Sequence, residues 1–178
     1  GADLHALVGT QPEDRLGHAS FRHLADAVEF LLAAGVRPRG ADARGGIPPL
    51  HGICWQGEYE DPETNRACER IIRALAAAGA DVNVRDRSGS APLHEAAGGD
   101  WGNATAVRVL LELGADPDPR DRAGRTPLMI AADRGERACL ELLLAAGADP
   151  RPAIRPAREY LATCKTIVRE GPSEPHFG

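Results

Sequence analysis

The chain holds a single lysine, Lys165, against twenty arginines. That bias reads as the codon preference of a GC-rich, bacterial genome and carries no mechanism. Aromatic residues make up only 4% of the 178 residues, which excludes a core of stacked rings and leaves one built from leucine and alanine. No apolar run approaches the ~18 residues of a membrane span, and no secretory hydrophobic segment is visible. A cytoplasmic chain with no membrane partner is expected. The four cysteines, Cys54, Cys68, Cys139 and Cys164, form no CxxC pair and no regular framework, so they are expected to be reduced and mostly buried. A glycine-rich phosphate loop, a metal-ligand motif and a serine elbow are all missing. Neither a cofactor nor a metal is expected, and the chain is not expected to be an enzyme. The net charge of -5 argues against nucleic acid as a partner.

What is present is a segment that recurs. Ala91-Pro92-Leu93-His94-Glu95-Ala96-Ala97 is followed by a leucine-rich stretch ending Leu113-Gly114-Ala115-Asp116, and Thr126-Pro127-Leu128-Met129-Ile130-Ala131-Ala132 by one ending Ala146-Gly147-Ala148-Asp149. Pro92 and Pro127 lie 35 residues apart, and Gly114 and Gly147 lie 33 apart. Pro48-Pro49-Leu50-His51 opens a weaker copy that closes at Ala78-Gly79-Ala80-Asp81. A first copy can be read from Leu4-His5-Ala6 to Gly35. Self-similarity near 33 residues with a TPLHxA-like start resembles the ankyrin repeat family. The resemblance implies an all-α solenoid of about four helix–turn–helix units, near 3–40, 41–84, 85–118 and 119–151. It also implies a surface for binding another protein rather than a catalytic pocket.

Local chemistry agrees. Thr126 can N-cap a helix with Pro127 at its first position, where a missing N–H is harmless. Leu128, Ala131 and Ala132 give that helix an apolar stripe, and Gly135 can end it. A second helix is expected from about Glu136, with Leu140, Leu143 and Leu144 on one face and Gly147 at its left-handed end. Beyond it, Ile154, Leu161 and Val168 recur at helical spacing. They predict a capping helix over 154–169, followed by an extended or disordered tail over 171–178.

Departures from the repeat mark where function can sit. Pro49 and Pro92 are 43 residues apart, and the excess falls at 57–65, a stretch with four acids and Tyr59. It reads either as a partner-facing loop or as a solvated one, and Asp61-Pro62 can equally start the second helix, from about Glu63 to Ala78. A similar excess is expected at 9–20, with His5, Asp14 and His18 near His23; these spacings fit no zinc motif. His51 and Cys54 share a helix face, but the resemblance implies that His51 and His94 bond between neighbouring loops and that Cys54 fills a small inward position. Met129 replaces the histidine in the last copy.

Trp55, at the end of an inner helix where polar residues are usual, and Trp101, near the equivalent end of the next unit, are expected to form one apolar patch on the concave face. Arg44, Arg85, Arg87, Arg120, Arg122 and Arg125 recur at the turn tips, where no structural role is required of them; Asp86 and Asp121 support the turns. Such a ridge, facing the acidic insertion across a groove, suits a partner of mixed charge or a carboxylate-rich segment. The expected partner-binding set is Arg44, Trp55, Gln56, Glu58, Tyr59, Glu60, Arg87, Ser88, Ser90, Trp101, Arg122, Arg125 and Arg134. The leading function is a non-enzymatic interaction module, as scaffold, regulator or immunity-type inhibitor, monomeric or dimeric through the tryptophan patch. The alternative is an enzyme or enzyme accessory using loops 9–20 and 57–65, with His51, Cys54, Glu58 and Glu60 as its residues.

Overall fold

The computed structural model describes residues 12–38, 48–55, 61–99 and 102–151. Among them are eight helices and no strand: α1 (Pro12–Phe21), α2 (Ala25–Ala33), α3 (Pro49–Trp55), α4 (Pro62–Ala77), α5 (Pro92–Gly98), α6 (Ala104–Glu112), α7 (Pro127–Arg134) and α8 (Arg137–Ala145). The odd helices stack in series as an inner row, the even helices as an outer row, and each inner helix packs on the outer helix that follows it.

Proline explains where the inner helices begin. All four have it as first residue, at Pro12, Pro49, Pro92 and Pro127, where the fixed φ suits the helix and no N–H is needed. Side-chain caps then take up the orphan amides. Asp61 accepts from the amides of Glu63 and Thr64, Asn103 from that of Ala106 at 2.8 Å, and Thr126 from that of Met129 at 3.3 Å. Gly147 ends α8 at φ +90°, as its place in the sequence predicts.

The core lies between the rows. Leu50, Ile53, Ile71, Ile72, Leu75, Leu93, Leu110, Leu128, Leu140 and Leu143 are all fully buried. Ala96, Ala97 and Ala131 are buried among them, and their small size lets neighbouring helices approach closely. Cys54, Cys68 and Cys139 are buried free thiols, as expected.

One sequence expectation changes, and of the readings open at 57–65 the helix start at Asp61-Pro62 is the one observed. Residues 12–21 are not an inserted loop; they form α1, which packs on α3 as the inner helix of its unit. Pro12, rather than the Leu4-His5-Ala6 segment, therefore holds the place of Pro49, Pro92 and Pro127. The excess at 57–65 is partly helix. Asp61 caps α4, which runs for 16 residues against nine in α6 and nine in α8, so the extra length goes into helix as well as connection. Arg44, Gln56, Glu58, Tyr59, Glu60, Trp101, the expected capping helix over 154–169 and the tail lie outside the described residues.

The outer row is tied by charge. On α4 and α6, Glu69 bridges Arg73 and Arg108, each at 2.9 Å, and Glu112 bridges the same two arginines at 2.5 and 2.9 Å. The closed ring of two acids and two bases fixes the register of the two helices, because each side chain is already held when the next one pairs. It also holds the Glu69 and Glu112 carboxyls below their ordinary range, through hydrogen bonds from Arg108 and Arg73 at Glu69 and from Arg73 and Arg108 at Glu112.

Candidate functional site

Two turns project ahead of α5 and α7, and the same residues build both. Asp86 and Asp121 sit at their bases. One Asp86 oxygen accepts from the amides of Ser88 and Ser90, each at 2.8 Å; one Asp121 oxygen accepts from those of Ala123 and Arg125 at 2.9 and 2.8 Å. The amide of Gly89 closes the first turn onto the Asp86 carbonyl and that of Gly124 the second onto Asp121. Gly124 has φ +76°, a conformation that favours glycine. These bonds favour ionised carboxylates and hold both aspartates low despite their burial.

The arginines of the turns have more structure than their exposure implied. Arg85 donates through one guanidinium nitrogen to the carbonyls of Gly89 and Arg120, both at 3.1 Å. Arg120 donates to the Gly124 carbonyl at 3.3 Å, and Arg125 pairs with Asp121 at 2.8 Å. The expectation that turn arginines lack a structural role is corrected for these three, since the tight turns leave carbonyls that need donors. Arg87 and Arg122 are exposed at equivalent places in the two turns, and the Arg122 amide donates to the Ser88 carbonyl at 3.0 Å. Ser90 departs from the expected partner-facing set. It is buried, at 5% exposure, because its amide is bound by Asp86 and its carbonyl by His51. Ser88 is exposed, although its hydroxyl donates to Asp86 at 2.8 Å.

Histidines link two of the units to the turn that follows. His51 Nε2 donates to the Ser90 carbonyl at 2.8 Å and His94 Nε2 to that of Arg125 at 3.0 Å. Both rings therefore carry their proton on Nε2. His94 Nδ1 also accepts the Ala91 amide at 3.0 Å. His51 Nδ1 has no partner among the described residues, because the matching residue is Pro48, which has no N–H. Burial pushes both histidines below their ordinary value, against the opposing pull of these carbonyl bonds.

A pH dependence follows. The unfolded chain protonates these rings near their ordinary pKa of about 6.5, while the folded chain resists until lower pH. Their contribution to stability is full above about pH 6.5 and is lost as pH falls through the depressed folded values. Glu95 works in the opposite sense, since burial and then Asp86 raise its carboxyl. Urea melts should therefore show a midpoint that drops from pH 7.5 to 5.5, with a flatter profile in His51→Gln/His94→Gln. An unchanged slope in that variant would remove the histidines as its cause.

On the inner face, Trp55 is 45% exposed, whereas the other six residues of α3 are buried. Glu95 of α5 is half-buried, and Arg134 of α7 is exposed, donating to the Gly99 carbonyl at 3.1 Å. Glu95 escaped the sequence reading, because acids are ordinary on helix surfaces. So did Leu24 and Phe30, at 44% and 69% exposure in the first unit; the helical phase of Phe30, two residues past buried Val28, is the signal that could have found it. Cys54 is wholly buried and its thiol is raised well above the ordinary range by desolvation, then by Cys68. Such a sulfur stays protonated and out of reach of a substrate, and His51 spends its proton on a carbonyl.

Stacked helix pairs, bonded turn to turn by histidine, define a helical repeat protein. A family model described as ankyrin repeats, in three copies, matches residues 63–153, and the chain belongs to the ankyrin repeat family. Proteins of this family generally mediate protein–protein interaction and are typically non-enzymatic. No curated protein matches the chain closely enough to count as a relative. No described helix is long and apolar enough to cross a membrane.

Proposed function

We propose that the chain is a non-enzymatic module that holds another protein against its inner helices and turn tips, as a scaffold, regulator or immunity-type inhibitor in a bacterial cytoplasm. The observation that carries this reading is Trp55, a large aromatic left 45% exposed at the end of an otherwise buried helix. Tryptophan and arginine dominate interface hot spots, and Arg134 stands on the same row of helices. Trp101, which lies outside the described residues, is proposed as a second member of the partner-binding set. The enzymatic alternative drew on His51 and Cys54, which burial and hydrogen bonding account for without chemistry.

Affinity capture from the source organism's lysate tests the reading, with wild type beside Trp55→Ala/Trp101→Ala. One protein retained by wild type and lost by a variant with an unchanged melting curve is the expected result. Capture of nothing, or equal capture by both, removes the inner-face reading.

A further inference from the structure

The two turns hold five arginines (Arg85, Arg87, Arg120, Arg122 and Arg125) against two aspartates, on a chain whose net charge is -5. Both aspartates are consumed within the turns, and Asp121 pairs with Arg125. Arg85 and Arg120 are of a different kind. Their bonds to the carbonyls of Gly89, Arg120 and Gly124 use one terminal nitrogen of each guanidinium. The groups are thus pinned along the exposed ridge, and among the described residues no further hydrogen bond occupies their forks, although the Arg120 charge is felt at Asp149. A pinned guanidinium loses little rotamer freedom when it grips a carboxylate, and it can do so with two parallel bonds. Arg122 adds an exposed charge beside them. The Arg85 side chain reaches the Arg120 carbonyl, and stacked helices lie about 8–10 Å apart, so the two guanidiniums repeat at about that interval. An extended chain advances about 3.3 Å per residue, which places carboxylates two or three residues apart over successive arginines.

We infer that the ridge of Arg85, Arg120 and Arg122 binds an extended acidic segment of the partner protein, with acids spaced two or three residues apart. The inference rests on the protein-binding reading above and adds the chemistry of what is bound. Nucleic acid and anionic lipid also present anions to such a ridge and are outcomes of the test.

The probe is a fluorescein-labelled peptide of alternating glutamate and serine, with a lysine–serine peptide, polyuridylate and anionic vesicles alongside. Fluorescence anisotropy should show binding of the glutamate peptide alone, weakening with salt. Binding should fall about tenfold in Arg122→Glu, whose side chain makes no bond in the turn, and comparably in Arg85→Gln/Arg120→Gln, which removes charge but keeps an amide donor. Thermal melts guard against loss of fold in either variant. No binding by wild type, undiminished binding by both folded variants, or equal binding of polyuridylate or vesicles overturns the inference. Because Trp55 ends α3 and His51, near its start, is the residue bonded to the turn, a partner captured by wild type and lost by the tryptophan variant while the peptide fails would leave the protein-binding reading standing and put its contact elsewhere.

Discussion

Gly99→Ala is expected to cost about 3 kcal/mol of stability, at the upper end of what overpacking does. The reason is steric rather than conformational. Gly99 caps α5 at φ -56° and ψ -172°, angles open to any residue. A Cβ built there falls onto the carbonyl oxygen of Trp55, at the end of the neighbouring inner helix, and also comes within 3.1 Å of the Glu95 carbonyl. Both obstacles are backbone, so relief requires two inner helices to move apart, and with them the Trp55 end of the inner face. Gly98 is the informative comparison. Its added Cβ would meet the Ile130 side chain, which can be shortened, and alanine gains about 1 kcal/mol over glycine in helix propensity. Gly98→Ala should therefore be restored to near wild-type stability by Ile130→Ala after allowance for the lost methyl groups, whereas no side-chain change rescues Gly99→Ala. Urea denaturation of the single and double variants reads both, and a Gly99→Ala midpoint within error of wild type would dismiss the close approach at Trp55.

The second large effect is an inequality between two histidines that the sequence makes look equivalent. Removing the His94 ring strands one buried donor, the Ala91 amide, at about 1–3 kcal/mol, while the Arg125 carbonyl loses one of its two donors and keeps the Asp121 amide. Removing His51 strands no such donor, since the Ser90 carbonyl keeps the Asp86 amide and the other ring nitrogen already lacked a partner among the described residues. His94→Ala should lose about 4 kcal/mol and His51→Ala about 2 kcal/mol, cavity included. Equal losses, measured by urea midpoint at pH 7.5 where both rings are neutral, would show that Pro48 does not matter to its neighbour.

The sequence made α5 to α8 readable because caps and periodicity coincide there: Pro92 and Pro127 start helices, Thr126 accepts the amide three residues on, and Gly147 ends α8. It made Trp55 readable as well, since the phase of the repeat puts that position outside the core. The first unit misled because Leu4-His5-Ala6 imitates a helix start, whereas the usable signal was Pro12 followed by Glu13 and Asp14, a proline and two acids in a first turn. The bracing of the turns by Arg85 and Arg120 was not readable, because the carbonyls they bind exist as acceptors only after the chain has turned and stacked. The constraint on Gly99 was not readable for the same reason; it comes from a helix more than 40 residues earlier in the chain.

Met129 stands where His51 and His94 stand in the units before it, and a thioether has no proton to give. In an array whose cohesion is a sum of neighbour couplings, one missing rung sets a direction of opening. The turn at 120–125 is held from behind by His94 and Arg85, while among the described residues α7 makes no such bond forward. Compliance is therefore expected to increase toward α8. A partner seated across α7 and α8 acts as a clamp on the part that opens most readily, and its binding is felt as resistance to proteolysis. One confined to the earlier turns meets a stiff template and must itself do the adjusting.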